Sequence, residues 1–123
     1  MIDRIKHVSI PVQDQDRALQ FYTGKLGFEV TTDQSFGPGQ RWIELLIPGG
    51  STTGVVLYTP PGHEDRIGTM SDIVFTSEDL EKTYHELVER GVEFAQPLKT
   101  EAWGSSAIFV DSEGNRFALT SPR

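Results

Sequence analysis

Over the first dozen residues apolar side chains alternate with others: Val8, Ile10 and Val12 interleave with His7, Ser9 and Pro11. A period of two is that of a half-buried strand, and it predicts one from about Ile5 to Val12. The alternation stops at Gln13-Asp14-Gln15-Asp16, where Asp14 has the short acceptor side chain that caps the free amides of a helix. Ala18, Leu19, Phe21, Tyr22 and Leu26 then recur at helical spacing, and Gly27 supplies the stop. Phe28 to Thr32 reads as the next strand, and Gly37-Pro38-Gly39 as a turn. Trp42 to Ile47 makes a third strand closed by Pro48-Gly49-Gly50, and Gly54 to Thr59 a fourth closed by Pro60-Pro61-Gly62.

The second half repeats this order. Ile73 to Thr76 is a strand, Ser77-Glu78-Asp79 opens a helix, and Leu80, Tyr84, Leu87 and Val88 form its apolar stripe before Gly91 ends it. Val92-Glu93-Phe94 matches Gly27-Phe28-Glu29 in kind. Ser105 to Val110, a turn over Asp111-Ser112-Glu113-Gly114-Asn115, and Arg116 to Thr120 make a terminal hairpin. Laying His7 on Asp72 also lays Asp14 on Asp79, and Gly27 on Gly91 after a one-residue gap, which is the mark of an internal duplication. The expected fold class is therefore α+β: two βαβββ modules, about 3–59 and about 70–122, joined by a linker at about 60–69 within one domain. Two such modules sharing a core would form a curved mixed sheet around a concave pocket, the kind of surface where small ligands bind.

Composition narrows the function. At 123 residues, 37% hydrophobic and 24% charged, the chain is a folded protein of one-domain size. It has no cysteine, which excludes disulfides, thiolate metal sites and cysteine nucleophiles and fits a reducing compartment. Charges interrupt the amino-terminal stretch from Asp3 onward, so no signal peptide is expected, and no apolar run reaches the length of a membrane span. A cytoplasmic protein with no membrane partner is the expectation. Eleven Lys and Arg against 18 Asp and Glu give a formal charge of −7, which repels phosphate backbones and argues against nucleic acid. Gly37-Pro38-Gly39 lacks the Lys-Ser or Lys-Thr of a phosphate loop, and there is no Gly-x-Ser-x-Gly elbow.

Several side chains remain as candidates. His7, on the opening strand, reads equally as a pocket acid/base or ligand and as a hydrogen-bonded strand histidine. Asp72 would orient it across the modules or else stand solvated at a strand start. His63, in the linker, and His85, beside the helical stripe, are expected to face water. Trp42 and Glu44 share one face of their strand, which offers an aromatic wall and an acceptor if that face looks inward. Trp103 is expected to open the seventh strand, at a pocket edge or in the core.

Three stretches together resemble the vicinal-oxygen-chelate superfamily, which includes glyoxalase I, bleomycin-resistance proteins, fosfomycin-resistance proteins and extradiol dioxygenases. They are His7-Val8-Ser9-Ile10-Pro11-Val12-Gln13-Asp14 with Ala18-Leu19-Gln20-Phe21-Tyr22 and Leu26-Gly27-Phe28-Glu29-Val30, then Leu87-Val88-Glu89-Arg90-Gly91-Val92, then Phe109-Val110-Asp111-Ser112-Glu113-Gly114-Asn115-Arg116-Phe117-Ala118-Leu119. The resemblance spans nearly the whole chain. It implies four inner-strand positions that bind zinc or nickel in glyoxalase I-like members: here His7, a fourth-strand position near Val56, Asp72 and Ala118. Only His7 and Asp72 carry donors, and catalytic zinc normally keeps three protein ligands. The resemblance therefore implies a metal-free binder of the bleomycin-resistance kind, with no cofactor, holding an aromatic or cationic small molecule. Its pocket would draw on His7, Trp42, Glu44 and Val56, with Asp72, Trp103 and Ala118. The alternative is a glyoxalase I-like lyase or isomerase with an atypical divalent-metal site, His7 and Asp72 being catalytic. A weaker possibility is a degenerate regulatory or dimerising module. A homodimer is implied in each case.

Overall fold

The first alternating run forms strand β1, His7–Pro11, and the chain continues as helix α1 (Gln15–Gln20) and strands β2 (Glu29–Gly37), β3 (Gln40–Leu46) and β4 (Gly54–Tyr58). After a short 3-10 turn at Glu64–Arg66 come β5 (Val74–Thr76), α2 (Leu80–Glu89), β6 (Glu93–Glu101), β7 (Gly104–Val110) and β8 (Arg116–Thr120). This computed structural model describes residues 1–50 and 52–122. It divides into two compact units, Met1–Glu64 and the chain from Asp65 onward, so the division falls inside the stretch read as a linker.

In the first unit the strand order is β1-β4-β3-β2. β1 runs parallel to β4, with His7 opposite Gly54 and Ser9 opposite Val56, and β3 runs antiparallel to β4, with Glu44 opposite Val56. Asp14 caps α1 as its sequence suggests: a carboxylate oxygen accepts from the Arg17 N–H at 3.0 Å. The helix then widens into a π turn at Phe21–Lys25, which the apolar spacing did not signal, and Gly27 at φ 79° turns the chain out. Ala18, Phe21 and Tyr22 from this segment are buried with Ile10, Ile43, Leu45 and Leu57 of the sheet. These make the core of the unit.

The second unit repeats the topology as β5-β8-β7-β6, with Val74 opposite Ala118 and Ile108 opposite Ala118. Asp79 caps α2 by accepting from the Lys82 N–H at 3.2 Å. Its core is aromatic: Phe117 meets Phe75 edge-on at 5.7 Å and Phe109 at 5.9 Å, with Leu80, Leu87 and Leu119 buried around them. The β7–β8 turn is held by two buried polar residues. Asp111 accepts from the N–H groups of Glu113 and Asn115 at 2.9 and 2.8 Å and from the Asn115 side-chain amide at 2.9 Å. The Asn115 side-chain oxygen Oδ1 in turn accepts from the Met70 N–H at 3.0 Å. Asp111 and Asn115 thus form a structural latch whose buried polar groups satisfy one another, while the Ser112 hydroxyl between them is buried with no hydrogen-bond partner among the described residues.

Two strands are much longer than their patterns predict. β2 runs to Gly37 rather than Thr32, and β6 to Glu101, well past the Val92-Glu93-Phe94 signal. Both are edge strands broken by register shifts, and most of their residues are exposed, so no apolar alternation marks them. Pro97 sits at one of those breaks, where a missing N–H is tolerated. Two placements of side chains are corrected. Asp72 precedes the short β5 rather than lying on it, and Trp103 lies in the β6–β7 turn rather than opening β7. His63 and His85 are exposed.

Candidate functional site

Side chains that share a register row point to the same face of a sheet, and along a strand every second one does so. In the first unit the register therefore puts His7, Ser9, Trp42, Glu44, Gly54 and Val56 on one face, opposite to the face of Ile10, Ile43, Leu45 and Leu57. The sequence alone left open which face of the Trp42 strand belongs to the core. Its neighbours decide: Ile43 and Leu45 are fully buried, whereas Trp42 and Glu44 are half-buried.

The candidate residues on this face touch one another. The His7 imidazole stands edge-on to the Trp42 indole, with ring centroids 5.5 Å apart and planes at 81°. The Trp42 Nε1–H donates to Glu44 Oε1 at 3.3 Å, a contact that follows from an i, i+2 pair on one strand. Val56, 1% exposed, is the register partner of both Ser9 and Glu44 and floors the group. The His7 Nδ1 is buried and has no hydrogen-bond partner among the described residues. An unpaired buried ring nitrogen is costly to leave so, and it marks a place where a ligand atom or an ordered water completes the site.

Asp72, Trp103 and Ala118 belong to the second unit. Ala118 is half-buried beside Val74, Asp72 is exposed ahead of β5, and Trp103 is 60% exposed at its turn. The register also fixes the fourth-strand position that the sequence could only approximate. Ser9 faces Val56 as Val74 faces Ala118, and the duplication lays Ser9 on Val74, so Val56 is the counterpart of Ala118. The two positions where glyoxalase-like members need a donor therefore hold Val and Ala. Among the described residues, no three His, Cys, Asp or Glu side chains gather in a way that could hold a metal ion. On this face of the first unit His7 and Glu44 are the donors, and one Glu44 oxygen is already tied to an indole. That set falls short of the three protein ligands of a catalytic zinc site.

A second polar feature, absent from the sequence reading, lies on the same unit. Gln13 to Arg17, Arg41 and Thr59 line an open cleft of about 460 Å³. Arg41 binds Asp33 in a two-point ion pair at 2.8 and 2.9 Å and reaches Asp16 at 2.7 Å. The Asp33 hydrogen bonds, and then those of Asp16, push the Arg41 pKa further up, and the Arg41 side chain holds the Asp33 carboxyl below the usual carboxylate range. Gln15 donates to the carbonyls of Arg41 and Leu57 at 2.9 and 3.0 Å, tying α1 to the sheet. These groups satisfy one another, and the cluster is a clamp between helix and sheet.

Comparison with known proteins agrees with the topology. A sequence model of the glyoxalase/bleomycin resistance protein/dioxygenase superfamily matches residues 4–119. The chain is 36% identical over 119 residues to the uncharacterized protein YetH of Bacillus subtilis (strain 168), spanning 97% of this chain and 98% of that one. The solved structure of UcmS2 superposes with a TM-score of 0.88 at 36% identity, covering 98% of both chains. That of TnmS3, an antibiotic binding protein from Streptomyces sp. CB03234, superposes with a TM-score of 0.86 at 32% identity, covering 99% of this chain and 98% of that one. With its paired βαβββ units and these matches, the chain belongs to the glyoxalase/bleomycin resistance protein/dioxygenase superfamily.

Proposed function

We propose that this protein binds an aromatic or cationic small molecule, without a metal, on the His7–Trp42–Glu44 face of its first unit. The observation that carries the reading is the contact chain itself: an imidazole against an indole, and the indole N–H on a carboxylate. An indole held in place by its edge still offers a π surface for stacking, and the carboxylate beside it favours a positive charge or a hydroxyl donor. Val56 and Ala118, where a metal-dependent member would carry donors, favour binding over metal-assisted chemistry. The likeness to TnmS3 supports an antibiotic-type ligand and sequestration as the purpose. The proposal includes a homodimer and a cytoplasmic setting, and the absence of cysteine fits the reducing compartment alone. No helix among the described residues is long and apolar enough to cross a membrane.

One observation favours the alternative, a glyoxalase I-like lyase or isomerase with a zinc or nickel ion: the unpartnered His7 Nδ1 is free to ligate. A thermal-shift panel of aromatic cations and neutral aromatics, run in EDTA and again with added zinc or nickel, separates the two. The proposal predicts that at least one aromatic cation raises the melting temperature equally in all three buffers. A panel that leaves the melting temperature unmoved overturns it. Near-stoichiometric metal uptake that is lost on His7→Ala would move the alternative ahead instead.

A further inference from the structure

Gly54 opens β4 directly opposite His7 and does not adopt the positive φ that would demand glycine. A glycine inside a strand is unfavourable and often marks a close approach by another group. Here the approaching group is Glu44. A Cβ built on Gly54 would stand 2.5 Å from Glu44 Oε2, 3.1 Å from its Cδ and 3.2 Å from its Cγ, and these are the three atoms nearest to it. The carboxylate thus lies over the bare backbone of β4, in the space a side chain would take. From there Oε1 accepts the Trp42 indole N–H, while Oε2 has no hydrogen-bond partner among the described residues.

We infer that Gly54 is a specificity-determining positioning residue: its missing side chain seats the Glu44 carboxylate against the sheet, with one oxygen on Trp42 and the other left for a donor on the ligand. The indole has a single N–H, and Glu44 consumes it, so Trp42 contributes only its ring surface. An ionised carboxylate accepts and never donates. Together they select a planar aromatic that carries an ammonium, amidinium or hydroxyl group, and they repel an aromatic anion. This choice of ligand class rests on the binding reading above, whereas the seating of Glu44 does not.

The test uses 15N-labelled protein, in which the two indole N–H signals are assigned with a Trp42→Phe variant. Glu44→Ala gives the position of the Trp42 signal without its acceptor. Gly54→Ala is expected to move that signal to the same position, to leave the fold intact, and to weaken binding of the aromatic amidinium 4-aminobenzamidine at least tenfold, while binding of the anion 1-anilinonaphthalene-8-sulfonate becomes no weaker than in the wild type. A Trp42 signal that stays at its wild-type position in Gly54→Ala overturns the seating. Equal weakening of cation and anion overturns the choice of ligand class. Should Gly54→Ala fail to fold, the Gly54→Ala/Glu44→Ala double variant decides: a restored fold supports the seating, and continued failure overturns it. If the wild-type protein binds no aromatic cation at all, the binding reading fails alone, and the indole signal still reports on Gly54.

Discussion

The two units share one topology but carry different side chains on it. Through the register, Trp42 and Glu44 of the first unit correspond to Ser106 and Ile108 of the second, Val56 to Ala118, and Gly54 to Arg116. The first sheet therefore carries an indole, a carboxylate and the bare backbone that seats it, while the same rows of the second carry a hydroxyl, two aliphatic side chains and a guanidinium. Behind these faces the two units are more alike: each packs an aromatic trio, Phe21, Tyr22 and Phe28 in the first and Phe75, Phe109 and Phe117 in the second, and the second adds the latched turn. On the proposed function, one copy of the duplicated fold carries the binding chemistry and the other need not, because function lives in side chains grafted on a scaffold rather than in the scaffold itself.

The largest effect that would sharpen this contrast is expected in the second core. Phe117→Ala removes a fully buried ring at the centre of the aromatic cluster and should cost about 3–5 kcal/mol in denaturant unfolding. A cost no greater than that of an exposed substitution would mean that this cluster is not what stabilises the unit. Next comes the latch, whose corresponding connection in the first unit contains the Pro48-Gly49-Gly50 sequence. Asn115→Ala leaves the Met70 N–H and the Asp111 carboxylate short of partners and should cost about 1–3 kcal/mol, measured the same way. The smallest effect belongs to the clamp on the first unit. The Asp33 pKa is depressed in the folded protein by Arg41, so the pair's contribution is present above the unfolded carboxylate pKa of about 3.9 and is lost as pH falls through the lower folded value. The melting curves of wild type and Asp33→Asn should therefore differ slightly at neutral pH and converge below about pH 4. The difference stays small because the pair is solvent-accessible. A gap that widens in acid would show the sign to be wrong.

Much of the scaffold is legible in the sequence because its signals are local. Asp14 and Asp79 cap as short acceptors do, Gly27 and Gly91 end their helical segments with positive φ, and β8 runs from Arg116 to Thr120 as its pattern predicts. What escapes depends on partners distant in sequence. β4 reads Gly-Val-Val-Leu-Tyr and is buried on both faces, so its pattern cannot tell one side from the other, and only pairing with β1 and β3 sets its register. The inward set of the Trp42 strand was hidden for the same reason. Apolar residues occur on both of its faces, and the burial of Ile43 and Leu45 settles the matter. The sequence places Asp72 and Trp103 on strands rather than before β5 and in the β6–β7 turn because β5 has only three residues and that turn carries no proline to announce it. Gly54 had no signal as a functional residue, since its role exists only once Glu44 is folded over it.

The contrast between the two faces is tested most directly by comparing Trp42→Ala with Ser106→Ala, its counterpart in the second unit, in calorimetric titrations with the aromatic cation that gives the largest thermal shift. Trp42→Ala should weaken binding at least tenfold with the fold intact, and Ser106→Ala should leave affinity unchanged. Full affinity in Trp42→Ala, or an equal loss in Ser106→Ala, would contradict the assignment of binding to the first unit's face.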